Sequence, residues 1–178
     1  FLQQSPRHAL AAEACYRRGS CLLQLGQQEP AIAALQQALQ RGGDGFALRH
    51  ECRYRLAMAL RDDKKVQPAA DELGRMLADL PADHYLAAGA HYALGECRRD
   101  LGDDKAALQS FMAAKSRATG DAKSFLFPSL YQSGFCALRQ NQPADAAKLF
   151  EAAAAAATDE AAVHECQFLC GDALLRAG

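Results

Sequence analysis

The chain has no stretch in which apolar and polar residues alternate as they do along a half-buried strand, which argues against any sheet-based fold. No apolar run approaches the roughly 18 residues that a membrane-crossing helix needs, and no charged-then-apolar signal segment opens the chain. Positive charge is not in excess: 20 Lys and Arg face 21 Asp and Glu, for a formal net charge of −1 and a pI of about 6.6. Nucleic-acid binding draws on clustered cations, so no nucleic-acid partner is expected. The zinc-type C-x-x-C and H-E-x-x-H spacings are missing, and no Gly-rich phosphate loop follows a strand. We therefore expect no catalytic residue, no cofactor and no metal, and read the chain as a non-enzyme.

What the sequence does contain is a period. Gly19, Ala57, Gly95, Gly134 and Gly171 recur at steps of 38, 38, 39 and 37 residues, each inside the same local pattern. Twelve residues beyond the first four stand Ala31, Ala69, Ala107 and Ala146. Four further on come Leu35, Leu73, Phe111 and Phe150, and three after those Ala38, Met76, Ala114 and Ala153. Spacings of three and four place these residues on one helical face. Each unit therefore reads as a helical hairpin. Its small residues let the two backbones approach, and its large residue is expected to wedge against the next hairpin. The punctuation agrees: Gly26, Gly102 and Gly178 fall where first helices should end. Pro30, Pro68 and Pro143 fall in the first turn of second helices, while Gly42–Gly45 and Gly120-Asp121 mark breaks between units.

The recurring Gly, the Ala and large apolar slots, and Pro81 after the second unit resemble the tetratricopeptide repeat, and the resemblance covers essentially all 178 residues. The period exceeds that family's usual 34. The family's early Trp or Leu slot reads Cys15, Arg53, His91, Leu130 and Gln167, in a chain without tryptophan. The longer period and the A-x-Y-x-x-G look are similar to the subfamily found in bacterial cell-envelope assembly and Tol-associated proteins. The resemblance implies an all-α, right-handed superhelical α-solenoid of stacked helical hairpins. We expect a single repeat domain over 1–178, with hairpins at about 7–41, 46–81, 82–118, 121–157 and a partial one at 159–178. Pro6 is expected to close a hairpin lying mostly upstream. Neither end carries the polar face of a terminal repeat, so a fragment of a longer protein is expected, with self-association through open repeat ends as one use of those ends.

Seven cysteines occupy small packing slots. Cys21, Cys97 and Cys136 lie two residues after the small slot, Cys52 and Cys166 five before it, and Cys15 and Cys170 in apolar positions of the same helix. All seven are expected to be buried, reduced and metal-free. Buried free thiols point to a reducing, cytoplasmic compartment, whereas the envelope subfamily points to the periplasm; both locations stay open. His50-Glu51-Cys52 and His164-Glu165-Cys166 repeat one tripeptide, but Tyr54 and Phe168 stand where a zinc protease needs its second His. Repeat duplication accounts for the echo.

Function is then sought on the first helices, which in the family the chain resembles line the concave face. Three before the small slot stand Tyr16, Tyr54, Tyr92, Tyr131 and Phe168; just after it come Ser20, Met58, Glu96, Phe135 and Asp172. Arg61, Arg99 and Arg139 follow at the rim. Tyr and Arg are enriched at binding hot spots, although rings on an apolar face also pack between hairpins by default. The Lys and Asn pairs with which chaperone-binding relatives clamp a terminal carboxylate are replaced here by Tyr16 with Ser20, Tyr54 with Met58 and Tyr92 with Glu96. The expectation is a protein-interaction scaffold that holds a protein or peptide partner in a groove. A structural spacer, or an accessory region of a larger enzyme or envelope-assembly protein, is the alternative.

Overall fold

The structure, a computed structural model, describes residues 10–178; Pro6 and the start of the first expected hairpin lie outside them. The chain divides into two compact units, Phe1–Leu80 and Pro81–Gly178. The first contains α1 (Ala11–Gln24), α2 (Gln28–Gly42), α3 (Arg49–Asp62) and α4 (Val66–Asp79). The second contains α5 (Ala87–Asp100), α6 (Asp104–Arg117), α7 (Leu126–Arg139), α8 (Pro143–Ala156) and α9 (Glu160–Ala177). Short 3-10 segments, Gly43–Gly45 and Gly120–Phe125, lead into α3 and α7. Within each unit successive helices pack on one another, and no strand occurs among the described residues. The fold class is all-α, built from stacked helical hairpins of the solenoid type.

The turn inside each hairpin is the same device four times. Gly26, Lys64, Gly102 and Asn141 all adopt left-handed backbone, with φ of 70°, 62°, 82° and 58°. In each turn the next N–H reaches back five residues: Gln27 to Leu22 O, Lys65 to Leu60 O, Asp103 to Arg98 O and Gln142 to Ala137 O, at 2.8–2.9 Å. This is the Schellman closure, which satisfies carbonyls that a helix end leaves without intrahelical partners. Glycine marks only two of the four. Asn tolerates the left-handed region, whereas Lys64 holds it against its own side chain, at a cost of about 1–2 kcal/mol.

The small slot works by close approach. A Cβ on Gly19 would lie 2.7 Å from Leu35 Cγ, one on Gly95 2.6 Å from Phe111 Cε1, and one on Gly134 2.5 Å from Phe150 Cε1. The large residue of the second helix thus lies over the glycine of its own hairpin, a contact that the spacing alone did not predict. It reaches the following hairpin as well: Phe111 shares its cluster with Cys136 of α7, and Phe150 with Ala173 of α9. Gly171 departs from the pattern. It is exposed, and an added Cβ would meet nothing within 4 Å.

The expectation that every cysteine is buried is also corrected. Cys15, Cys52, Cys97, Cys136 and Cys166 are buried, but Cys21 is exposed and Cys170 only partly covered. The position two after the small slot faces the second helix of the preceding hairpin, as Cys136 does against Ala107 and Phe111. Among the described residues no such helix precedes α1, so Cys21 lies open.

Candidate peptide-binding face

The first helices carry the residues singled out above, α1 and α3 in one unit and α5, α7 and α9 in the other. Tyr16, Tyr54, Tyr92 and Tyr131 are all partly buried, whereas Phe168 is 75% exposed. Met58, Glu96 and Phe135 are partly buried beside them.

In the first unit Tyr16 bridges α1 and α3. Its hydroxyl accepts a hydrogen bond from Arg55 Nε at 3.0 Å, and the same guanidinium lies 5.9 Å from the ring centroid. Phe46 meets the ring edge-on at 6.4 Å. In the second unit Tyr92 lies between Phe111 at 5.4 Å and Phe125 at 5.8 Å. Tyr131 packs against Phe135 at 5.0 Å, Phe127 at 5.7 Å and Phe150 at 6.2 Å. Its hydroxyl donates to Glu165 Oε1 of α9 at 2.6 Å. Burial first, and the Glu165 carboxylate second, push the Tyr131 phenol up to about 12. Each of these three rings is braced by a neighbouring element on one side, so its position is set by the fold rather than by its own rotamer.

Phe46, Phe125 and Phe127, which back these rings, were missed in the sequence. Phe46, Tyr85 and Phe125 stand 11, 10 and 9 residues ahead of Ala57, Gly95 and Gly134, so an aromatic in the segment entering the first helix was itself a repeat signal. Its spacing drifts, and alignment on the small slot alone hides it.

The arginines expected at a rim already have partners within the fold. Arg139 of α7 binds Asp104 at the start of α6 at 2.6 Å, and Gln140 Nε2 donates to the Asp104 carbonyl at 3.2 Å. Arg99 of α5 pairs with Asp100 at 2.8 Å and donates to Gln132 Oε1 of α7 at 2.9 Å. These bonds stitch successive elements together and fix where the guanidiniums point. Arg61 is partly buried at the corresponding place on α3.

The echoed tripeptides form no catalytic pair. Cys52 is buried, its Sγ donates to Leu35 O at 3.4 Å, and burial pushes its thiol up to about 12, so the thiolate that a nucleophile requires is suppressed. His50 Nδ1 instead lies 3.8 Å from Asp79 Oδ1. His164 and Glu165 are exposed while Cys166 is buried. Among the described residues no group of three His, Cys, Asp or Glu side chains could hold a metal ion, and no helix is long and apolar enough to cross a membrane.

Paired helices, small crossing residues and rings braced along the first helices define a helical-hairpin repeat scaffold, the class through which proteins dock on one another. Residues 12–41 and 88–119 match the family model described as tetratricopeptide repeat, one stretch in each unit. Those two stretches are tetratricopeptide repeats by that match. No curated protein matches the sequence. Among solved structures, YrrB, described as a TPR protein with an unusual peptide-binding site, superposes with a TM-score of 0.70 at 18% identity, covering 99% of this chain and 88% of that one. The TPR-like repeats of a Podosopora anserina putative kinesin light chain give 0.72 at 16% identity, over 96% and 89%. MamA from Desulfovibrio magneticus RS-1 gives 0.65 at 22% identity, over 80% and 73%. At these identities the likeness is one of fold.

Proposed function

We propose that the chain is a non-enzymatic scaffold that holds a peptide segment of a partner protein against the ring-bearing faces of its first helices. The observation that carries this reading is the state of the rings. They stand in register at one slot, Tyr131 and Tyr92 are braced by aromatic neighbours, and none of the five residues is fully buried, Phe168 being the most exposed. Rigid rings with polar tips make contact area at little entropic cost. Tyr16, Tyr54 and Met58 serve in the first unit, and Tyr92, Glu96, Tyr131, Phe135 and Phe168 in the second. Arg61, Arg99 and Arg139 orient acidic groups of the ligand at the rim. YrrB, with its described peptide-binding site, supports a peptide as the kind of ligand. We further propose that no cofactor, metal or nucleic acid takes part.

The test is selection of binders from a displayed random-peptide library, followed by affinity measurement on variants. Tyr131→Ala combined with Phe168→Ala should weaken the selected peptides by about 30-fold or more, the usual scale of hot-spot truncations. Lys148→Ala, on the second helix α8, should leave them unchanged, and Arg99→Ala should act mainly at low salt. Selected peptides whose affinity is indifferent to the ring changes, in a variant that keeps its helicity, would remove the reading in favour of a structural spacer.

A further inference from the structure

A second site adjoins the row of rings through Phe125, in the second unit where its hairpins join. The chain entering α5, the end of α6 and the 3-10 segment Gly120–Phe125 enclose a cavity of about 650 Å³. Asp83 and Asp121 stand on its lining, both exposed, and Tyr85 and Phe125 supply aromatic surface. Tyr85 is 66% exposed, an unusual position for a large ring, and it stacks on His84 at 4.6 Å with an interplanar angle of 26°. His84 is itself oriented by Leu86 N–H, which donates to its Nδ1 at 3.2 Å. The ring is therefore held in place while remaining open to solvent.

We infer that this cavity receives the basic side chain, arginine or lysine, of a partner protein. Charge complementarity carries the assignment. The lining holds two carboxylates, the His84 imidazole, which accepts from Leu86 N–H at Nδ1, and the guanidinium of Arg117, and that guanidinium is committed to its own helix end: its Nη1 donates to Ala113 O at 3.1 Å and to Ser116 Oγ at 3.3 Å. The cavity also adjoins the C-terminal turn of α6, where backbone carbonyls concentrate partial negative charge. A guanidinium or ammonium head would find two carboxylates and aromatic surface on one lining, and its methylene stem would cover the rings. An anionic head would meet Asp83, Asp121 and the helix carbonyls together.

The site stands independently of the peptide-binding reading, although Phe125 belongs to both places: it lines the cavity and packs against Tyr92 at 5.8 Å. The probe is a capped tripeptide, acetyl-Gly-Arg-Gly-amide, titrated to about 10 mM into the 15N-labelled chain, the range in which a single side chain is recognised. Its controls carry citrulline or glutamate in place of arginine. The expected result is amide shifts confined to residues 82–86 and 116–125, at least tenfold weaker binding of the citrulline peptide, and at least a tenfold loss in Asp83→Asn with Asp121→Asn. Tyr85→Ala should weaken binding several-fold. All three changes lie on exposed side chains, so the variants should fold, and an unchanged melting midpoint checks this. Absence of shifts in those segments, equal binding of the citrulline peptide, or preference for the glutamate peptide with loss in Arg117→Gln would each overturn the inference. Selected peptides that ignore the ring changes, with this site intact, would count against the peptide-binding reading alone.

Discussion

Replacing one glycine by alanine at two positions of the same repeat slot should move stability in opposite directions. Gly134 lies inside α7 and Gly171 inside α9, so both gain about 0.8–1 kcal/mol of helix propensity on becoming alanine. They differ in what the new methyl meets. At Gly171 nothing lies within 4 Å, and the gain should appear nearly whole. At Gly134 the methyl would lie 2.5 Å from Phe150 Cε1 and 2.7 Å from Cζ, against an optimal carbon separation of about 3.5–4.0 Å. Phe150 is fully buried among Ala137, Ala146, Ala147 and Ala173, so the ring must move by roughly an ångström inside a packed cluster. Overpacking of that kind costs about 1–3 kcal/mol. Gly134→Ala should therefore be destabilising by up to about 2 kcal/mol net, and Gly171→Ala stabilising by up to about 1 kcal/mol. At roughly 2–4 °C per kcal/mol the two melting midpoints should separate by several degrees. The second hairpin already pairs alanine with leucine at these slots, Ala57 with Leu73, both fully buried. Adding Phe150→Leu to Gly134→Ala should thus cost clearly less than the sum of the two single changes. Far-UV circular dichroism in a denaturant series is the assay. A Gly134→Ala midpoint that rises as far as that of Gly171→Ala would refute the close-approach account of the slot.

A thiol reagent applied to the native chain should modify Cys21 first and Cys170 more slowly, with the five buried cysteines reacting only after denaturation; peptide mass mapping reads the order. Spectrophotometric titration of the phenols should show Tyr131 ionising late, near pH 12, and Tyr131→Phe should remove its step. Because the Tyr131 value is raised in the folded state, its contribution to stability should be whole below about pH 10 and lost as pH climbs towards 12. His91 runs the other way: burial, then Arg117 and Arg98, lower it to about 4. Its contribution is present above about pH 6.5 and lost as pH falls through 4, so His91→Gln should flatten the acid limb of a stability profile over that window.

The hairpins were legible because their determinants are local and recur: a small slot, an Ala twelve residues on, a large residue four later. Burial of the cysteines was legible only together with the helix that covers them: Cys136 is covered by Ala107 and Phe111 of α6, whereas no described helix covers Cys21 in the same slot. The left-handed turns at Lys64 and Asn141 carry no glycine, and only their register with Gly26 and Gly102 gives them away. Least legible were the rim arginines. Their recurrence is visible in the spacing, but Asp104 and Gln132, which capture Arg139 and Arg99, are 35 and 33 residues distant in the sequence. No local pattern predicts such pairs.

The same chain of contacts that builds each hairpin also sets the height of its ring. In the second unit Gly134 admits Phe150, Phe150 supports Phe135 at 5.2 Å, and both meet Tyr131. Gly95 likewise admits Phe111, which carries Tyr92. A larger residue in the small slot would raise the second-helix ring and push the tyrosine outward, so the slot is coupled to the face proposed to bind peptide, one layer removed from it. Gly134→Ala should then disturb the Tyr131–Glu165 hydrogen bond and bring the late phenol back towards pH 10, while Gly171→Ala, with no ring seated over it, should leave that titration where it is. A Tyr131 phenol that stays near 12 in the Gly134 variant would mean that Phe150 yields sideways within its cluster, and that the slot and the ring face are set independently.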